Sequence, residues 1–328
     1  MTRIAIVGPG ALGCLFGGLL ALAGHDVRML ARRAEHAERL ARDGLRIERD
    51  GAEQRATVRA DTDPARLGPV DLAIVLVKAT DTAAAATSLP ALLGPDGVAV
   101  SLQNGLGNVD ALASVLGVGR VLGGVTSQGA TLLGPGHVRH AGFGPTSLAE
   151  AGDSPAPRVD DVETPGIRTA PSREPSARAI AIAALLDAAG LPARAAPAVE
   201  PLVWGKLIAN AAINALGTLL RCPNGALVER PSSAPLFDGL AAEAGAVAAA
   251  LGVALPFPDA IEHARGVARV TAANRNSMLQ DIEAGRRTEI DAINGGVACL
   301  GAEVGMPTPL NATVAALIRA IEDGTGLR

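Results

Sequence analysis

Apolar positions follow two regimes along the chain. Up to about Pro197 they come in short runs separated by glycine-marked turns, and beyond it they recur at helical spacing. Residues 3–7 form a β-branched run that breaks at Gly8, 11–23 a helical stretch closed by Gly24, and 26–30 a second strand. The run 72–77 is uninterruptedly apolar, as a central parallel strand buried on both faces must be. A helix over 83–93 and a strand over 98–102 follow, and 120–148 holds several short strand-like runs between glycines. Such alternation predicts a doubly wound α/β domain. From 149 to 175, Pro155, Pro157, Pro165, Pro171 and Pro175 mark a loop or insertion, placed at about 151–175. Ser176 can cap a helix running to Ala189, with Gly190 after it and a short strand near 193–196. Helices are then expected over 199–220, 233–251, 257–268 and 288–304, with a last one over 312–322 beyond Pro307 and Pro309. The expected division is 1–197 and 198–328.

Composition narrows the function classes. The 328 residues suffice for two domains, and 48% hydrophobic against 19% charged residues suits a chain that buries a sizeable core. A net charge of −4 offers no broad basic field, so nucleic acid is not an expected partner. No membrane span is expected either: 11–23 is too short and too rich in glycine, and the run 4–7 ends at Gly8-Pro9-Gly10 without a signal-like continuation. Cys14, Cys222 and Cys299 lie far apart and make neither a disulfide framework nor a metal spacing, which fits a reducing cytoplasm.

Of 29 Lys+Arg, only Lys78 and Lys206 are lysines. A general bias toward arginine leaves two positions where arginine did not serve. A lysine amine can lose its proton when desolvated, whereas arginine stays charged.

Gly8-Pro9-Gly10-Ala11-Leu12-Gly13 lies between the first strand and the first helix. In that context the first glycine permits the tight turn, the second lets a pyrophosphate approach the backbone, and the third lets helix pack on strand. Free N–H groups of the helix start then face the anion. A glycine-rich turn without ligand is the plainer alternative. The second strand ends Leu30-Ala31-Arg32-Arg33, with two cations where an NAD enzyme usually carries an acid. NADPH is therefore the expected cofactor, unless both arginines are merely solvated.

Lys78 follows one buried strand and Gln103-Asn104-Gly105 the next, so Lys78 and Asn104 are expected in the crevice beyond the strand ends. Asn104 taken alone would be a turn residue. Lys206, Asn210 and Asn214 step by four among apolar neighbours and share one helix face. A partly desolvated Lys206 should have a lowered pKa and could protonate a carbonyl oxygen, or could simply hold an asparagine in a structural network. Ser277 and Asp281 share a helix face, and Glu289 is expected to start the next helix. By spacing alone these read as caps and surface pairs. His137 and His140 lack a nearby carboxylate or cysteine in sequence and read as loop or strand residues, so no metal is expected. His25 reads as exposed and Cys222 as a buried small residue.

Several segments together resemble the ketopantoate reductase family, in that family's order. They are Val77-Lys78-Ala79, Gln103-Asn104-Gly105-Leu106-Gly107, Trp204-Gly205-Lys206-Leu207 with Asn210 and Asn214, Cys222-Pro223-Asn224-Gly225, and Ser277-Met278-Leu279-Gln280-Asp281-Ile282 with Thr288-Glu289-Ile290-Asp291. The resemblance spans nearly the whole chain outside 151–175. It implies an N-terminal Rossmann dinucleotide-binding domain and an all-α C-terminal domain similar to that of 6-phosphogluconate dehydrogenase. It further implies Lys206 as general acid. Glu289, Asn210, Asn214, Ser277 and Asn274 correspond to substrate-side residues, Asn104 and Lys78 line the nicotinamide end, and Arg32 reads the 2′-phosphate. Ala215 stands where the family often has proline. The implied activity is NADPH-dependent reduction of 2-dehydropantoate to pantoate in pantothenate biosynthesis. Reduction of another small branched 2-oxo acid, or NADP(H) sensing without turnover, are the alternatives. The helical half could mediate a homodimer.

Overall fold

The computed structural model describes residues 1–152 and 174–325, so most of the proline-rich insertion expected at 151–175 lies outside the described residues. The described residues form two compact units: one of residues 1–103, 107–152 and 174–199, the other of 104–106 and 200–325.

Strands of the first unit are β1 Arg3–Val7, β2 Asp26–Leu30, β3 Leu45–Arg49, β4 Ala52–Ala56, β5 Arg59–Asp61, β6 Val70–Val75, β7 Leu93–Ser101, β8 Val121–Thr126, β9 Gly129–Gly134, β10 His137–Gly142, β11 Thr146–Glu150 and β12 Ala193–Ala195. The main sheet runs β12-β11-β8-β7-β6-β1-β2-β5, and a smaller one runs β4-β3-β10-β9. From β8 to β5 all neighbours in the main sheet are parallel, and chain order reverses at the β1–β6 boundary. That is the strand order of a Rossmann domain.

The helix Ala11–Leu22 lies between the two sheets, which explains its apolar and glycine-rich sequence. A Cβ on Gly17 would stand 2.8 Å from Met29 Sδ on one sheet. A Cβ on Gly18 would stand 2.5 Å from Ile47 Cδ1 on the other. The β3–β4 hairpin was not anticipated. Its turn, Asp50-Gly51, has φ of 52° and 79°, the left-handed pair that a tight hairpin needs. The strand expected at 72–77 runs Val70–Val75, and that expected at 98–102 runs Leu93–Ser101. Ser176 caps the helix Ala177–Ala188 through a 3.0 Å bond from Ala179 N–H, as expected.

The second unit is helical. Its central helix, Glu200–Leu219, is long and apolar enough to cross a bilayer but is mostly buried in the core of the unit. Ala234–Ala250, Ala260–Val270, Ser277–Glu283, Asn294–Glu303 and Pro309–Thr325 complete the principal helices. The third starts at Ala260 because the Asp259 carboxylate accepts from Ile261 and Glu262 N–H. The last starts at Pro309, earlier than the expected 312. Proline is tolerated in a first turn, and Glu243 accepts from Leu310 and Asn311 N–H at 2.9 Å each.

The single helix expected over 288–304 is not formed. Residues 289–293 form a bend and a turn. Thr288 Oγ1 accepts from Ile290 N–H, and Ala292 and Ile293 N–H both donate to Glu289 O. Glu289 is therefore a turn residue, not the start of a helix.

Candidate active site

Parallel register levels the carboxyl ends of the first unit's central strands. Val7 pairs with Leu30 and with Val75, and Val75 pairs with Ser101. The glycine loop, Arg32, Lys78 and Gln103 all follow these ends by one to three residues. Gly8 has φ of 97°, and a Cβ there would stand 2.6 Å from Val77 Cγ1. A Cβ on Gly13 would stand 2.2 Å from Gly8 O. These two glycines make the close turn and the helix–strand packing. Gly10 differs, since a Cβ on it would meet nothing within 4 Å. It starts the helix with no side-chain cap, and the first turn, with Ala11 and Leu12, holds no acid. Backbone N–H groups at an open, uncapped and acid-free helix start suit a pyrophosphate. The residues present thus fit a dinucleotide.

Arg32 and Arg33 are exposed beyond β2, and Arg32 Nη1 lies 3.2 Å from Asp81 Oδ1. Lys78 is partly buried; it follows β6 by three residues and precedes a short 3-10 turn, Ala79–Asp81. A buried network fixes that loop. Gln103 Nε2 donates to Val77 O at 3.0 Å and to Thr82 Oγ1 at 2.6 Å, and Thr82 Oγ1 donates to Asn108 Oδ1 at 2.7 Å. Sequence reasoning missed Thr82 and the side-chain role of Gln103.

Asn104 groups with the helical unit. Leu106 N–H donates to Ala292 O, and Asn104 Nδ2 donates to Glu289 Oε2 at 2.9 Å. Glu289 in turn acts on Lys206. Burial pushes the Lys206 amine down to about 8, and attraction to the Glu289 carboxylate opposes that fall. Lys206 keeps some exposure as a residue, while Asn214 on the same helix face is buried and Asn210 partly so. The three-residue group of Lys206, Glu289 and Asn104 therefore assembles within one unit from positions far apart in sequence.

Two contacts hold the Lys206 helix. Asn294 is fully buried and donates to Ala211 O at 3.0 Å and to Asn311 Oδ1 at 2.9 Å, which ties the start of the helix that follows the Glu289 turn to the Lys206 helix. His263 lies 2.9 Å through Nε2 from Gly205 O and stacks on Phe257 at 3.7 Å. Burial lowers its pKa, so it is neutral and donates the Nε2 proton.

Ser277 is exposed at the start of its helix and Asn274 is exposed in the preceding loop. Asn276, which was not anticipated, caps that helix at Leu279 N–H and accepts from Thr218 Oγ1 at 3.4 Å. Thr218 continues the four-residue step of Lys206, Asn210 and Asn214, a signal visible in the sequence. Asn274 O accepts from Asn224 N–H, so the Cys222-Pro223-Asn224-Gly225 segment braces the loop. His137 and His140 sit in β10, bonded to Glu48 and Gln128. Glu48, Glu53 and His137 have the proximity a cation would need, but both carboxylates already take arginine partners. His25 is half-buried rather than exposed, and its Nδ1 accepts from Thr2 N–H.

A Rossmann unit fit for a dinucleotide, joined in one chain to a helical unit with a desolvated lysine beside a carboxylate, defines a nicotinamide-dependent oxidoreductase class. The family model described as ketopantoate reductase PanE/ApbA matches residues 4–153, and its C-terminal counterpart matches 198–322. The chain belongs to the ketopantoate reductase family and is an oxidoreductase acting on CH–OH groups. It is 38% identical to a 2-dehydropantoate 2-reductase of Archaeoglobus fulgidus, covering 99% of each chain. It is 36% identical to one of Halobacterium salinarum, covering 98% of this chain and all of that one. A crystal structure of a PanE/ApbA family ketopantoate reductase from Ralstonia eutropha JMP134 superposes with a TM-score of 0.84 at 34% identity, covering 98% of this chain and 99% of the other. A ternary structure of D-mandelate dehydrogenase with NADH and anilino(oxo)acetate superposes at 0.86 with 27% identity, covering 99% of each. The expected Rossmann and helical architecture is borne out.

Proposed function

We propose that this chain reduces 2-dehydropantoate to pantoate with NADPH, and that Lys206 is its proton donor. The observation that carries the reading is the Glu289 carboxylate, bonded to Asn104 at 2.9 Å and acting on the desolvated Lys206 amine, in a chain whose residues 4–153 and 198–322 match the ketopantoate reductase models. Gly8, Gly10, Ala11, Leu12 and Gly13 cradle the cofactor pyrophosphate, Arg32 takes the 2′-phosphate, and Lys78 and Asn104 serve the nicotinamide end. When bound, NADPH supplies the hydride for C2 of the 2-oxo acid. The Lys206 ammonium gives its proton to the C2 oxygen as negative charge develops there, an effect of about 10²–10⁴-fold. Glu289 favours the protonated amine before transfer, and its second role is to accept from a substrate hydroxyl. Asn210, Asn214 and Asn274 hold substrate oxygens, and Ser277 takes the carboxylate end. Reaction in the cytoplasm by a homodimer completes the proposal.

A spectrophotometric assay of NADPH consumption with 2-dehydropantoate tests it. Substrate-dependent consumption is expected, and cofactor binding without consumption would overturn it. The likeness to D-mandelate dehydrogenase favours one second reading, in which the same residues reduce a different 2-oxo acid.

A further inference from the structure

We infer that Asp81 is a cofactor-selectivity residue that weakens the preference for NADPH over NADH. The inference rests on Arg32 reading the 2′-phosphate. The Arg32 side chain is 81% exposed, and its Nη1 lies 3.2 Å from Asp81 Oδ1. A phosphate bound to that guanidinium must arrive beside a carboxylate already paired with it.

Asp81 is not a loose surface charge. Its N–H donates to Lys78 O at 2.8 Å, and the next residue, Thr82, is buried and tied to both Gln103 and Asn108. The backbone beneath the carboxylate is therefore fixed where Arg32 can reach it. An exposed ion pair contributes little by itself, so it protects neither partner from exchange. What remains on exchange is repulsion between Asp81 and the incoming phosphate, a cost that the unphosphorylated cofactor does not meet. NADH instead offers a 2′-hydroxyl, which can donate to a carboxylate, the role an acid at the strand end plays in NAD-dependent Rossmann domains. Arg32 and Asp81 thus read opposite features of the same ribose: the cation favours phosphate, the carboxylate favours hydroxyl.

Fluorescence titration of the full chain with NADPH and with NADH, without substrate, tests this on wild type, Asp81→Asn, Asp81→Ala and Arg32→Ala. Both Asp81 variants should bind NADPH about tenfold more tightly, the order of one phosphate–arginine contact, while NADH binding stays the same or weakens. Unchanged or weaker NADPH binding in both would overturn the inference, because Asp81 would then be neutral or would be presenting Arg32 to the phosphate. Arg32→Ala separates the two levels. It should weaken NADPH and spare NADH, and if NADPH binding survives it, the reading of Arg32 fails and the inference with it. Thermal melts of the same variants should match wild type, since both side chains are on the surface.

Discussion

The acid role proposed for Lys206 near neutral pH rests on two opposed influences. Burial lowers its pKa from 10.5 to about 8, and Glu289 keeps it from falling further. With the protonated amine as the proposed donor, turnover should be level below about pH 8 and fall as pH rises through that value. Glu289→Gln removes an influence that raises the pKa, so the fall should move to lower pH. A pH–rate profile of wild type and variant checks the direction, and an unmoved or alkaline-shifted limb would contradict it. Stability carries the matching sign. The folded value lies below the ordinary one, so the cost of burying the charged amine stands in full below about pH 8 and is relieved between there and 10.5. Much of this was legible in the sequence: two lysines among 29 cations drew attention to Lys206, and its four-residue step with Asn210 and Asn214 placed it on an apolar helix. The Asn104–Glu289 bond was not legible, because it joins positions 185 residues apart.

Helices and strands with a clear period were read closely. Arg3–Val7 and Asp26–Leu30 stand where their patterns put them, and Ala11–Leu22 ends one residue early. The failures have local causes. Charges on both sides of Asp50-Gly51 hid the alternation of β3 and β4, although that dipeptide is itself a hairpin signal. At 288–293 the apolar spacing continued while Thr288 and the Glu289 carbonyl took the N–H groups into turns. That break matters, because it puts Glu289 in a turn that leads directly into the helix anchored by Asn294. Replacing Asn294 with leucine should destabilise the chain by about 2–3 kcal/mol, since Asn311 and the Ala211 carbonyl lose a buried donor. Denaturant unfolding measures it, and a loss below about 0.5 kcal/mol would show that the pin carries no such stabilisation. Turnover should fall as well, because Glu289 is then less firmly placed against Lys206.

The division of labour between the two units follows from what each can bury. A parallel sheet with level carboxyl ends offers loops and a helix start to a dinucleotide, and a helix bundle can desolvate a lysine. Both architectures were legible, because alternation of short runs and sustained helical spacing are long-range patterns that survive local misreadings. The assignment of residues 104–106 to the helical unit was not, since only contacts with Ala292 and Glu289 reveal it. In a panel of 2-oxo acids with NADPH, 2-dehydropantoate should give a kcat/KM at least tenfold above an aryl 2-oxo acid. The reverse order would favour the second reading of the substrate.

Turnover of Lys206→Ala with 2-dehydropantoate, measured beside its NADPH dissociation constant, separates proton donation from cofactor binding. Turnover should drop about 10²–10⁴-fold while NADPH affinity stays within about twofold of wild type. Undiminished turnover would contradict a proton-donor role for Lys206.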